Sequence, residues 1–243
     1  MVRRTQWLLK GQMLWLVLAV AGVLAFRAAL LTWRPALMLV AVAIGGLVLT
    51  GFVSLLVLFS LLRAGRRGSA AACLAAAGLG LLALVGVLLA GVHGAKAPPI
   101  HDITTDPGNP PLFGIASQLR TSGDNPIAYS GGATADLQRQ AYPDIVPLTV
   151  ALAPAEAFAR SLAVAERLGW RIVGQSREQG SIEAVDRTLV FGFTDDIAIR
   201  IVAAGDGSRI DLRSASRAGV SDLGTNAKRI RAFVAAFANP QRR

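Results

Sequence analysis

Two stretches of this chain hold no charged residue: positions 36–62, between Pro35 and Arg63, and positions 68–95, between Arg67 and Lys96. Each is longer than the roughly 20 residues a helix needs to cross the hydrocarbon core of a bilayer, and neither offers a polar face to water. Both read as transmembrane helices, expected over about 36–62 and 69–92. A third apolar segment precedes them. Residues 11–26 are uncharged, Arg27 interrupts, and 28–33 resume, so a helix over about 7–26 is expected, with Arg27 reaching the interface along its aliphatic stem. A cleaved secretory signal opening on Arg3 and Arg4 is the alternative, but the segment lacks a clear small-residue cleavage site followed by a polar stretch.

Charge follows the same division. All 15 acidic residues lie after Ile100, whereas nine of the 25 basic residues lie before it. The net charge of +10 therefore belongs almost entirely to the first hundred residues, and the remainder is nearly neutral. A nucleic-acid binder needs a basic face on its folded domain, so that class is excluded. One cysteine, Cys73, and two histidines, His93 and His101, cannot build a disulfide framework or a zinc cluster. Scarce lysine beside abundant Ala, Gly and Arg suggests GC-rich codons and a bacterial source.

Lys and Arg at the ends of the spans set the expected orientation. Arg3, Arg4 and Lys10 precede the first helix and Arg63, Arg66 and Arg67 separate the second from the third, against Arg27 and Arg34 in the first loop. The excess puts the N-terminus in the cytoplasm, and three crossings carry the C-terminal half outside: a multi-pass protein of the bacterial inner membrane with a periplasmic domain. In the third span Ala72, Ala76 and Gly80 recur at the small-xxx-small spacing that lets helix backbones approach.

Residues 96–144 are rich in Pro, Gly, Asn and Asp and are expected to form an irregular, proline-stiffened stalk, with a short helix near 134–140. Residues 145–243 read as one α+β unit. A strand over 145–152 leads to a helix opened by Pro154, with Phe158, Leu162, Ala165 and Leu168 on one face, Glu156 and Arg160 paired on the other, and Gly169 ending it. Strands follow near 170–176, 181–188, 196–202 and 209–216, the last two joined by the hairpin sequence Gly205-Asp206-Gly207-Ser208. A final helix over 222–238 carries Ile230, Phe233, Val234 and Phe237 as a core stripe. The order β-α-β-β-β-β-α implies an antiparallel sheet of about five strands with two helices on one face, a helix-grip-like shape.

Chemistry concentrates between the last strand and the last helix. Arg213, Ser214, Ser216, Arg217, Ser221, Asp222 and Asn226 form the candidate ligand- or partner-binding set. Asp222 or Ser221 suits a helix N-cap. Asn226 shares the stripe of Ile230 and Phe233, so its amide points inward and needs partners. The plainer reading is a polar plug in which Arg213 and Arg217 pair with Asp211 or Asp222; the functional one is an anion or head-group site at a helix N-terminus. Gly219-x-Ser221 resembles a nucleophile elbow, but its next glycine is one residue late and the only plausible base, His101, lies in the stalk. His101, Asp102 and Asp106 are a weak metal-ligand set, and turn-forming carboxylates explain them as well. Phe191-Gly192-Phe193 ahead of Asp195-Asp196 reads as core entering a strand rather than a lip for an acyl chain.

Taken together, Pro99-Ile100-His101-Asp102-Ile103-Thr104-Thr105-Asp106, Leu168-Gly169-Trp170, Ile182-Glu183-Ala184, Phe191-Gly192-Phe193-x-Asp195-Asp196 and Arg213-Ser214-x-Ser216-Arg217-x-Gly219-x-Ser221-Asp222-x-Gly224-x-Asn226 resemble the bacterial and plastid family called domain of unknown function fourteen-ninety-nine, over roughly residues 98–238. The resemblance implies domain limits and a preceding three-span anchor, and no established activity. The expectation is a non-enzymatic module that needs no cofactor, held to the lipid bilayer and binding an envelope protein or an amphiphilic ligand. A membrane-tethered hydrolase or metal-dependent enzyme is the alternative.

Overall fold

The computed structural model describes residues 2–66 and 70–239. They form two compact units, Met1–His93 with Leu189–Gly192, and Gly94–Thr188 with Phe193–Arg243.

The first unit is three helices: α1 (Val2–Arg27), α2 (Trp33–Arg63) and α3 (Ala70–Lys96). Within them Thr5–Arg27, Trp33–Arg63 and Ala70–Val92 are long and apolar enough to cross a membrane. Small residues and a few polar contacts join the helices. Gly46 leaves room for the Trp15 ring, and the backbones of Gly51 and Gly80 meet where neither could carry a side chain. Ala76, from the small-residue stripe, is fully buried. Gln12, also fully buried, ties the three helices together by donating to Leu47 O at 3.1 Å and Ala76 O at 2.7 Å. An amide among hydrocarbon side chains bonds the backbone carbonyls it can reach.

The second unit is built on a six-stranded antiparallel sheet: β1 (Asp102–Thr104), β2 (Leu148–Val150), β3 (Arg171–Ser176), β4 (Ser181–Arg187), β5 (Thr194–Ala204) and β6 (Gly207–Ser216). Its order is β1-β6-β5-β4-β3, with β2 pairing β6 further along the edge that β1 occupies. Side chains alternate across the sheet, so Ile197, Ile199 and Ile201 of β5 and Ile210 and Leu212 of β6 share one buried face. Onto that face pack α6 (Pro154–Arg167), through Ala157, Phe158, Val164 and Ala165, and α7 (Thr225–Ala238), through Ile230, Phe233 and Phe237. Each fully buried large aliphatic or aromatic side chain here stabilises the fold by about 1.5–3 kcal/mol. Trp170 stacks on Phe233 at 5.8 Å. Arg160 does not pair with Glu156 as the helical spacing suggests; it lies over the Phe237 ring and donates to Phe237 O, while Arg167 donates to Ala236 O, so α6 supplies the donors that the end of α7 lacks.

The expected stalk is different in kind. Residues 98–144 contribute β1, the short helix α4 (Ile115–Gln118) and α5 (Gly132–Ala141), and much of the stretch covers the second face of the sheet. Glu183 on that face accepts N–H bonds from Gly114, Ile115 and Ala116, and Ile115 rests on Gly174, where any side chain would collide with it. Gln138 of α5, 1% exposed, donates to Thr104 O at 2.6 Å and accepts from Thr104 N at 3.0 Å, so its amide replaces a further strand at the β1 edge. Proline and glycine here encode a precise irregular path rather than a spacer. The strand β1 went unseen because three residues are too few to show an alternation.

Candidate functional site

The β6–α7 connection is where the sequence concentrated its polar groups, and the structure gives nearly all of them internal partners. Arg213, 2% exposed, grips Asp102 with two bonds, Nε to Oδ1 at 3.0 Å and Nη2 to Oδ2 at 2.7 Å. Its remaining donors reach Pro111 O and Ile127 O, and its Cζ lies over the rings of Phe113 and Tyr129, 4.6 and 5.5 Å from their centroids. Burial and the Asp102 charge push the Tyr129 phenol up to about 12. Arg217 pairs with Asp196, which is fully buried and also receives Arg120 Nε at 2.7 Å. The acidic partners are thus Asp102 and Asp196, neither Asp211 nor Asp222. Asp211 is held instead by Arg200 and Arg209, which also share Asp106.

On the helix-covered face the hub is Asn226, fully buried as its position on the stripe requires. Its Oδ1 accepts from Ser214 Oγ at 2.6 Å and Arg229 Nη1 at 2.7 Å, and its Nδ2 donates to His101 O at 3.0 Å and Ser216 Oγ at 2.9 Å. Arg229 then bridges Asp195 and Asp186. Asp195 and Asp196 are neighbours on one strand and so face opposite sides of the sheet: one serves Arg229 beneath α7, the other Arg120 and Arg217 beneath the covering segment. They are not placed as an acid–base couple.

The start of α7 falls at Thr225, three residues after the expected Asp222, because Gly224 sits at φ +82°. Asp222 still caps it: its carboxylate accepts from Gly224 N at 2.8 Å and Asn226 N at 2.7 Å. Removal from water raises the Asp222 carboxyl above its ordinary range despite those bonds. Ser221 Oγ donates to Pro98 O at 3.0 Å, and His101 turns its Nδ1 toward Val220 O at 3.4 Å. Leu223 lies in the left-handed region at φ +53°, a conformation that costs a non-glycine residue of order 1–3 kcal/mol.

These placements bear on each candidate chemistry. The serine hydroxyl is spent on a carbonyl instead of a base. Asp102 and Asp106 belong to separate arginine clusters, and among the described residues no group of three or more His, Cys, Asp or Glu is set to hold a metal ion. Of the stretch from Arg213 to Asn226 only Val220 and Leu223 are exposed, and both are apolar. Beside the hub lies an open hollow of about 220 Å³, lined by Leu168, Trp170, Asp186, Thr225, Lys228 and Arg229. Sequence reading missed Asp102 as the partner of Arg213, Arg120 and Gln138. The partners lie 111, 76 and 34 residues apart. Arg229, three residues along the helix from Asn226, was within reach of a helical-face argument.

Fold and site define a class: a small α+β domain, closed by buried ionic layers on both faces of its sheet, that follows three helices long enough to cross a membrane. The chain belongs to the family described as Protein of unknown function (DUF1499), which matches residues 102–237. The match opens on the first residue of β1 and closes within α7, so it takes in the segment that covers the second face. No curated protein matches the chain.

Proposed function

We propose that this is an integral protein of a bacterial inner membrane whose α+β domain lies on the extracytoplasmic side and serves as a binding or scaffolding module for an envelope partner or an amphiphile. The observation that carries the reading is the consumption of polar groups. The side chains able to do acid, base or nucleophilic work near the β6–α7 loop are bonded to backbone or to arginine, while the loop presents Val220 and Leu223 to solvent. A surface of that kind recognises apolar groups rather than turning over a bond. The orientation rests on six Lys or Arg residues (Arg3, Arg4, Lys10, Arg63, Arg66 and Arg67) flanking one side of the spans against three (Arg27, Arg34 and Lys96) on the other.

The test uses native membranes. Carbonate-washed vesicles should retain the protein, protease added outside intact spheroplasts should remove the C-terminal half, and cross-linking followed by extraction should recover a defined protein or lipid. A protein released by carbonate, or a domain protected in spheroplasts and cleaved in inverted vesicles, overturns the reading.

A further inference from the structure

The hollow beside the Asn226 hub holds polar groups that the surrounding network leaves unused. It lies within the α+β domain, where α6 ends and α7 begins. Gly169, at φ +80°, reverses the chain after α6, so that Gly169 N donates to Glu166 O at 2.9 Å and Trp170 N to Ala165 O at 3.0 Å. Leu168 and Trp170, on either side of that turn, line the hollow together with Thr225, Lys228 and Ala232 from the first two turns of α7. At about 220 Å³ it is small beside the roughly 300–1,000 Å³ of sites that enclose a drug-sized molecule. It therefore takes one group of a ligand rather than a whole one.

Trp170 marks the hollow as a site. The residue is 6% exposed and its ring stacks on Phe233, yet its indole N–H, which a buried tryptophan ordinarily gives to an acceptor, has no partner among the described residues. Nor is that nitrogen sealed among apolar atoms, and the hollow is where the residue meets solvent. Two further groups are unused among the described residues: the exposed Lys228 ammonium forms no ion pair, and the Thr225 hydroxyl makes no hydrogen bond. The other charges nearby are already spent. Arg229 directs its three nitrogens to Asp186, Asp195, Ser214 and Asn226, and the Asp186 carboxylate accepts from Arg229 Nε through one oxygen and from Arg187 N through the other. Asp222 occupies the N-terminus of α7 itself. What is left over is an ammonium and an indole N–H, which only donate, and one hydroxyl. Such donors beside apolar side chains suit an oxyanion carried on an apolar body.

We propose that this hollow binds the charged end of a small amphiphile. A carboxylate or phosphate oxygen accepts from Trp170 Nε1, Lys228 Nζ and Thr225 Oγ1, and the adjoining apolar segment rests on Leu168 and Ala232. The proposal names a ligand class for the binding module argued above and rests on that reading; it requires no particular placement of the domain against the membrane.

The test uses full-length protein with isotope-labelled tryptophan in phosphatidylcholine nanodiscs, in which the indole N–H resonance of Trp170 is identified by its loss in Trp170→Phe. Hexanoate and hexyl phosphate should move that resonance downfield and saturably while those of Trp7, Trp15 and Trp33 stay in place, and hexanol should not move it. Lys228→Ala should weaken the anion affinity by about tenfold, the worth of one charge-assisted hydrogen bond, and Thr225→Val severalfold, each variant keeping the unliganded Trp170 resonance of the wild type. Dihexanoyl phosphatidylglycerol bound more tightly than hexyl phosphate identifies a membrane lipid as the source of the anion, and the reverse order a free acid. A Trp170 resonance that hexanol moves as far as hexanoate, that no probe moves, or whose titration is indifferent to Lys228→Ala overturns the site. If the site fails while cross-linking in native membranes still recovers a defined partner, the hollow alone is rejected; if neither gives a ligand, the binding module falls with it.

Discussion

Arg213 reaches diagonally across the β6–β1 pairing to Asp102, two residues from its register partner Thr104, in one bidentate pair with the guanidinium 2% exposed, joining residues 111 positions apart. Removing one member leaves the other charge buried without compensation, which costs about 3–5 kcal/mol. Arg213→Met is expected to lower stability by that amount in denaturant unfolding of the detergent-solubilised protein, and Arg213→Lys to fall between, since lysine loses the fork and the stacking on Phe113. Adding Asp102→Leu to Arg213→Met should restore most of the loss. A single variant as stable as wild type would show that the pair is not structural.

Asn226 makes four side-chain bonds at once and no hydrophobic residue can replace them. Asn226→Leu should destabilise by about 2–4 kcal/mol, because Ser214, Ser216 and Arg229 are left buried and under-bonded. Asn226→Asp should not rescue, as its second oxygen would meet the carbonyl of His101 where an amide now donates. Denaturation midpoints of the two variants decide the matter; near-wild-type behaviour of the aspartate would contradict the assigned amide orientation.

Gln138 holds both backbone groups of Thr104. Gln138→Glu keeps the acceptor but turns the donor into a charge facing a carbonyl, so a loss of about 1–3 kcal/mol is expected near neutral pH. Protonation of the glutamate restores a donor, and the deficit relative to wild type should shrink as pH falls. Hydrogen exchange at the Thr104 amide, accelerated in the variant, is the direct readout.

Asp222, through burial of its carboxyl, makes stability depend on pH in the acid range. Its folded carboxyl titrates above the ordinary 3.8 because burial disfavours the charge. A carboxyl raised by folding contributes stability that is fully present below its unfolded pKa and is lost as pH rises through the folded one. The stability difference between wild type and Asp222→Asn should therefore be largest near pH 4 and diminish toward neutrality. Asp144, lowered by its bond to Arg231, acts in the opposite sense, losing its contribution as pH falls, but that pair is about half exposed and is worth well under 1 kcal/mol. Urea unfolding across this range checks the sign; a difference that grows with pH would refute it.

Periodic features were legible in the sequence. Uncharged runs gave the three long helices, and the stripes through Phe158 and Phe233 and the hairpin at Gly205-Asp206 gave the helix-covered face. The inward amide of Asn226 followed from the same spacing. Residues 98–144 were opaque because their order comes from partners far along the chain: Arg120 is fixed by Asp196, the backbone of Gly114 to Ala116 by Glu183, and the edge at Thr104 by Gln138. A residue without a local pattern announces its polarity but not its partner, which is why the arginines could be seen as important while Asp102 and Asp196 could not be assigned to them.

The pairing of β1 with β6 sets an order of events. The strand made first in this domain must wait for the strand made last, and until then its carboxylate at Asp102 has no guanidinium to meet. Closure over such a separation is entropically slow and all-or-none. A chain cut short anywhere before β6 would thus hold neither layer of the sheet, so the part of the α+β domain already made should remain open to proteolysis.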